Sequence, residues 1–366
     1  LQQASKTLRQ PIWFHCASLG EFEQARPLIE ALRKQSNRSI VLSFFSPSGF
    51  EIRKNYKQVD LVFYLPWDLK KNMQRCVQLL QPSAFFLTKY EVWPQLIAAL
   101  NNHGVPSILF AANFRSNQIY FKRHGGYMRK ALASLSQIFV QNQESQRLLK
   151  EWNMNAEVAG DPRFDRVWQV AQNPKSFPEI KEWISNHDCL VLGSSWEEDE
   201  KMLASVLPAF PKLKVILAPH EIHEEHIKQI EKIIPNSVRY SSFNSESQAE
   251  QQVLIIDSIG HLSHLYQFAK LSYIGGGFGA GIHNTLEAAA HGSPVIFGPN
   301  HEKFAEAKGL IECEAALSFH SSEELKQGIK HFLKNNKKAA NAAFQYVEQH
   351  QGATQKILSL TSRHWQ

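Results

Sequence analysis

The stretch that decides the fold is "LSYIGGGFGAGIHNTLEAAAHGSPVIFGPN", residues 271–300. A short apolar run ends in five glycines within seven residues, an alanine-rich helical pattern follows, and a second apolar run, "SPVIFGP" (293–299), comes after it. Strand, turn, helix, strand is the repeating unit of a parallel sheet. Gly275, Gly276, Gly277, Gly279 and Gly281 permit positive φ and let backbone N–H groups approach closely, and a helix start just beyond them adds unpaired donors, so the turn reads as an anion site. The same residues also fit a tight turn with Asn284 as N-cap and Glu287 at the third helical position, or a ribose hydroxyl pair held by Glu287. The spacing is not the dinucleotide G-x-G-x-x-G fingerprint.

Outward from this unit, the pattern repeats. "IWFHCA" (12–17), "IVLSFFS" (40–46), "LVFYLP" (61–66), "AFFLTK" (84–89), "SILFAAN" (107–113) and "QIFVQN" (137–142) form one series. "CLVLGSS" (189–195), "KVILAPH" (214–220) and "VLIIDS" (253–258) lead into a second. Apolarity that is continuous rather than alternating suits strands covered on both faces, so two doubly wound α/β domains are expected. The reading places a first domain at 1–166, a linker at 167–187 around two prolines, a second domain at 188–345 and a C-terminal helix at 346–366 that returns to the first domain. Two Rossmann-like domains facing across a cleft put the default site in that cleft, beyond the carboxyl ends of the strands.

Composition narrows the function classes. The chain has 366 residues, 43% hydrophobic and 20% charged, and no run of 18 apolar residues that would span a bilayer. It opens on Leu1 rather than Met, so a removed leader or anchor stays open as an expectation. Cys16, Cys76, Cys189 and Cys313 lack the close pairing of a zinc or redox motif and read as buried thiols in a reducing compartment. Residues 1–165 hold 21 Lys and Arg against 12 Asp and Glu, while residues 166–366 hold 19 against 22. The basic half calls for an anionic partner, a phosphate-bearing substrate or an acidic membrane surface. No nucleic-acid-binding motif accompanies the charge.

Three further strand-to-helix turns carry candidate chemistry. In "FHCASLGEFEQARPLIEAL" (14–32) Ser18 and Glu21 have capping-box spacing. Glu21 reads either as a satisfied helix start or as a general base at a cleft rim. In "GSSWEEDE" (193–200) Ser195 and Glu198 have the same spacing, and the acidic run reads as a helix first turn. "APHEIHEEHI" (218–227) offers His220, His223 and His226, without the H-E-x-x-H pair of a zinc enzyme.

Taken in order, "HCASLGE" (15–21), "SPSGFE" (46–51), "YLPWDL" (64–69), "YEVWPQL" (90–96), "NFRS" (113–116), "AGDPRFD" (159–165), "GSSWEEDE", "APHEIHEEH" and the glycine-rich stretch resemble the 3-deoxy-D-manno-octulosonic acid (Kdo) transferases of lipopolysaccharide biosynthesis. These are glycosyltransferases of the GT-B fold. The resemblance implies inverting, metal-independent transfer of Kdo from CMP-Kdo to a lipid A precursor at the cytoplasmic face of the inner membrane of a Gram-negative bacterium, with no cofactor and no nucleic acid. It implies Glu21 as the catalytic base. Donor contacts fall to Arg163, Ser194, Pro219, His220, Gly275, Gly276, Gly277, Phe278, His283, Asn284 and Glu287, and acceptor contacts to Ser18, Gly20, Ser48, Gly49, Arg53, Glu91 and Arg115. Asp161 and Arg163 stand where the family pattern usually has Asn and Lys, and the Arg that commonly precedes the family's His is replaced by Pro219. Segments 44–57 and 119–130, which mix aromatic and basic residues, are the expected membrane contacts. The rival readings are a GT-B-like nucleotide-sugar epimerase and a non-catalytic homologue that binds sugar nucleotide or lipid.

Overall fold

A computed structural model describes residues 8–89 and 91–365. It divides into two compact units, one of the described residues up to Arg166 together with 350–365, the other of residues 167–349. The first unit is built on β1 (Ile12–Cys16), β2 (Ile40–Phe44), β3 (Leu61–Tyr64), β4 (Ala84–Thr88), β5 (Ser107–Ala112), β6 (Gln137–Val140) and β7 (Glu157–Val158). These pair in the order β3-β2-β1-β4-β5-β6-β7, parallel throughout.

The register explains the unbroken apolar runs. Phe14 pairs with Leu42 on one side and Phe86 on the other, and its ring stacks on Phe86 at 4.8 Å. Those side chains lie in one core with Phe110 and Phe139. Their chain neighbours Trp13, Val41 and Phe85 lie in a second core. Successive side chains point to opposite faces, so a strand between two cores must be apolar at every position. Each buried Phe contributes roughly 1.5–3 kcal/mol.

The second unit repeats the plan with β8 (Cys189–Ser195), β9 (Lys214–Pro219), β10 (Ser237–Arg239), β11 (Val253–Ile255), β12 (Leu271–Ile274), β13 (Val295–Phe297) and β14 (Ala316–Ser318). The order is β10-β11-β9-β8-β12-β13-β14, again parallel. Strand order therefore reverses beside β1 and β4 in one sheet and beside β8 and β12 in the other. Both are switch points where α/β sheets bind ligands.

Residues 167–187 differ from the linker expected. They run through the helices Arg163–Gln172 and Pro178–Ile184, and Ile180, Trp183 and Ile184 are buried. Trp183 Nε1 donates to Gln251 O at 3.1 Å, which ties the segment to the second unit. Pro178 opens a helix as its first residue, where a missing N–H does no harm. At the other end the boundary lies at 349/350 rather than 345/346. Ile357, Leu358 and Trp365 pack into the core of Phe14 and Phe22, and Thr354 N donates to Asp165 at 2.7 Å. Among the described residues no helix is long and apolar enough to cross a membrane.

Candidate active site

In the first unit the switch point carries Glu21. Ser18 caps the helix Leu19–Gln35, its Oγ accepting from Glu21 N at 3.4 Å. The Glu21 carboxylate turns back one residue further than a capping box requires and accepts from Ala17 N at 2.6 Å. That contact fixes Oε2 at the end of β1. The side chain is only 5% exposed, and its pKa is raised to about 7. Burial is the main cause; the Ala17 amide opposes it, the Glu91 charge adds to it and Lys89 lowers it. Glu91 and Lys89 follow β4, so the two strands flanking the switch point converge their charges there. Lys89 itself adopts φ 67°, a conformation costly for a residue with a side chain.

The other residues proposed for the acceptor have varied surroundings. Gly20 is exposed, and an added Cβ there would meet nothing nearer than Ser18 Oγ at 3.9 Å. Ser48 is exposed and hydrogen-bonds Ser46 at 2.9 Å. Arg115 is exposed, and its backbone N donates to Gln118. Gly49, by contrast, lies under the Phe44 ring, 2.3 Å from an ideal Cβ, which explains that glycine by packing. Arg53 donates to Glu23 at 3.0 Å and lies over the Phe22 ring.

Arg163 belongs to the first unit. Its Nε lies 2.9 Å and its terminal nitrogen 2.8 Å from Asp161 Oδ2. Asp161, buried at 5% exposure, also accepts from Gln24 and Gln141. Asp161 and Arg163, the two departures noted from the resembled pattern, are thus partners of each other.

The glycine-rich turn of the second unit answers differently from the anion-site reading. Gly275 N donates to Gly193 O at 2.9 Å, Gly276 N to Asp199 at 2.8 Å and Gly279 N to Gly276 O at 3.0 Å. Those amides are engaged within the protein. The bare backbone approaches other backbone: a Cβ on Gly275 would meet Ser194 O at 2.4 Å, one on Gly276 would meet Gly281 O at 2.6 Å, and one on Gly277 would meet Gly298 at 2.6 Å. Close turn-to-turn packing is what demands glycine here. The helix that follows is only five residues, Leu286–Ala290, with Thr285 rather than Asn284 at its cap. Asn284 accepts from Leu286 N at 3.1 Å and donates to Glu287 at 3.3 Å. Phe278 packs against Phe319.

What organises this end of the sheet is a pair of consecutive acids. Trp196, not Ser195, is the cap of the helix Glu197–Val206, one residue beyond the position the spacing suggests. Asp199 accepts from Trp196 N at 3.0 Å, from Tyr273 Oη at 2.7 Å and from Gly276 N. Glu200 accepts from Ser195 Oγ at 2.7 Å and lies 3.0 Å from His226 Nε2, while His226 Nδ1 contacts Glu221 O. His223 caps its own helix, accepting from His226 N. Both carboxyl groups are 1% exposed, and burial raises the pKa of each. They tether the loops after β8, β9 and β12 to one helix. Ser194, at φ 53°, sits at the bulge where β8 leaves register with β9, and Pro219 ends β9. On these loops Trp196, His220 and His283 stack together. The two histidines stand out in the sequence, whereas Trp196 and Asp199 carry no local signal of their place here.

Residues 1–166 match the family described as 3-Deoxy-D-manno-octulosonic-acid transferase (kdotransferase). Matches to curated proteins run through nearly the whole chain. The chain is similar to this family over its first 166 residues. The 3-deoxy-D-manno-octulosonic acid transferase of Haemophilus influenzae is 26% identical over 96% of this chain and 86% of its own length. That of Rickettsia felis is 26% identical over 97% and 79%, and that of Aquifex aeolicus 28% over 86% and 83%. Among solved structures, UDP-GlcNAc 2-epimerase from Neisseria meningitidis covers 96% of this chain and 100% of its own at a TM-score of 0.65 and 13% identity. The epimerase from Methanocaldococcus jannaschii gives 0.63 at 15%, over 96% and 99%. At such identity they establish the GT-B fold and nothing of the chemistry. Similarity to named Kdo transferases over nearly the whole chain marks the protein as a glycosyltransferase.

Proposed function

We propose that the protein transfers Kdo from CMP-Kdo to a lipid A precursor by a single inverting displacement. The observation that carries the mechanism is Glu21, a buried carboxyl group oriented by the Ala17 amide at a switch point, with its pKa raised to about 7. A carboxylate of that basicity is matched to take a proton from an attacking hydroxyl near neutral pH. The acceptor oxygen forms its bond to the anomeric carbon on one face while the bond to the CMP phosphate oxygen breaks on the other, and the hydroxyl proton passes to Glu21. Inversion follows from the single displacement.

Negative charge then grows on one phosphate. His220 is the donor we assign to it, in place of the engaged Gly275 and Gly276 amides. Glu287 is the ribose ligand, Arg163 acts beside the donor from its pair with Asp161, and Glu91 tunes Glu21. A monophosphate leaving group has no diphosphate for a cation to bridge, so we infer metal-independent transfer. The acceptor contacts are Ser18, Gly20, Ser48 and Arg115. Peripheral seating on the cytoplasmic face of the inner membrane is the matching location, with exposed Ile52, Ile119 and Tyr127 beside Lys and Arg in segments 44–57 and 119–130.

The test is incubation with CMP-Kdo and radiolabelled lipid A precursor in EDTA. A Kdo-bearing lipid with stoichiometric CMP is the expected product. Release of CMP with no lipid product, or a requirement for added divalent cation, would overturn the corresponding part.

A further inference from the structure

Trp196, His220 and His283 come from three loops, yet their rings form one unit. The Trp196 and His283 planes are 14° apart with centroids separated by 6.5 Å, and Trp196 Nε1 donates to His283 Nε2 at 3.1 Å. The two rings therefore lie side by side, joined edge to edge. His220 lies against both, 4.8 Å from Trp196 at 26° and 4.5 Å from His283 at 28°. The result is a broad planar layer with one small ring stacked on it.

The helix that Trp196 opens does not itself call for tryptophan at this place. Trp196 occupies a helix cap, where Ser, Thr, Asp or Asn would satisfy the helix, and 38% of it is exposed. A residue that defies local propensity and leaves an aromatic face in water marks a functional position. The layer is also preorganised. Asp199 holds the Trp196 amide and the glycine turn that packs against His283, and Glu200 reaches the His220 loop through His226. Burial and the nearby His220 lower the His283 pKa to about 4. It therefore stays neutral and able to accept the indole hydrogen bond.

We propose that the Trp196–His283 layer is a stacking platform for a planar heteroaromatic ring, the base of the donor nucleotide, with His220 as the ring that packs beside it. The assignment rests on the nucleotide-donor reading above and adds to it the element that recognises the base. Base-on-aromatic stacking is sequence-tolerant, and its loss on alanine substitution corresponds to roughly five- to 150-fold in affinity.

Calorimetric titration of wild type, W196A and W196F with CMP and with ribose 5-phosphate, which lacks the base, tests it. W196A is expected to weaken CMP at least about tenfold and leave ribose 5-phosphate unchanged, which also certifies its folding. W196F retains a stacking face and should stay within about threefold. Wild-type tryptophan fluorescence should be quenched by CMP but not by ribose 5-phosphate, with the quench diminished in W196F. CMP binding by W196A within twofold of wild type overturns the platform, and so does equal weakening of CMP and ribose 5-phosphate. If wild type binds no CMP, the donor reading fails instead. Titration with UMP and AMP then decides the platform separately: base-dependent binding lost in W196A upholds it, and no binding of either overturns it.

Discussion

Asp199 Oδ2 accepts a 2.8 Å hydrogen bond from the backbone amide of Gly276, 77 positions along the chain. One buried carboxylate thereby locks the glycine turn to the start of the neighbouring helix. Removing it strands three donors, the Tyr273 hydroxyl and the amides of Gly276 and Trp196. Asp199→Ala is expected to lower stability by roughly 3 kcal/mol, as unsatisfied buried donors cost about 1–3 kcal/mol each with partial relaxation. Urea denaturation measures the loss, and faster hydrogen exchange at Gly276 N–H localises it.

The glycines of the turn separate by what lies opposite them. Gly277→Ala brings a Cβ to 2.6 Å from the Gly298 backbone, which has no side chain to swing aside, so a loss of about 1–3 kcal/mol is expected. Gly279→Ala meets only Gly276 O at 3.7 Å and should stay within about 0.5 kcal/mol. Thermal denaturation of the two variants side by side checks the contrast.

Asp161 and Arg163 should behave as a unit. With two guanidinium contacts under 3 Å and a buried carboxylate, a double-mutant cycle of Asp161→Asn and Arg163→Lys is expected to give a coupling of roughly 1–3 kcal/mol. Additive effects in denaturant midpoints would mean that each residue acts alone.

Glu21 also predicts a pH dependence of stability. Its folded pKa of about 7 lies above the ordinary 4.5, so between those pH values the folded state holds a proton the unfolded state has released. Stability from this group is present below pH 4.5 and lost as pH rises through 7. Glu21→Gln removes the penalty and should raise stability at pH 8 by up to about 3 kcal/mol, with no gain at pH 4. Scanning calorimetry at both pH values reads the difference. A variant less stable than wild type at pH 8 would mean the carboxylate is a net stabilising cap.

Much of the fold was legible because strands such as Trp13–Phe14 face two cores and must be apolar at every position, leaving runs that no amphipathic helix produces. The edge strands β7, β10 and β14, of two or three residues each, leave no run to read. The helix Pro178–Ile184 did leave a signal, Ile180, Trp183 and Ile184 at helical spacing, which the two prolines obscured. At the site, Ser18 and Glu21 revealed a helix start from spacing alone. The depth at which Glu21 is buried, and so its basicity, is set by the whole sheet. That the glycines answer to Gly298 and Ser194 was hidden for the same reason: turn-to-turn contacts join residues far apart in sequence and have no local period.

In the proposed mechanism the Glu21 carboxylate takes the proton of the attacking hydroxyl. Turnover of CMP-Kdo by Glu21→Gln, measured together with calorimetric CMP affinity, tests it most directly. Loss of kcat by about 10²–10⁴ with CMP affinity within twofold of wild type is predicted, alongside a wild-type kcat/KM that falls as pH drops below about 7. Turnover within threefold of wild type would contradict the account and leave Glu21 a residue that closes a helix end.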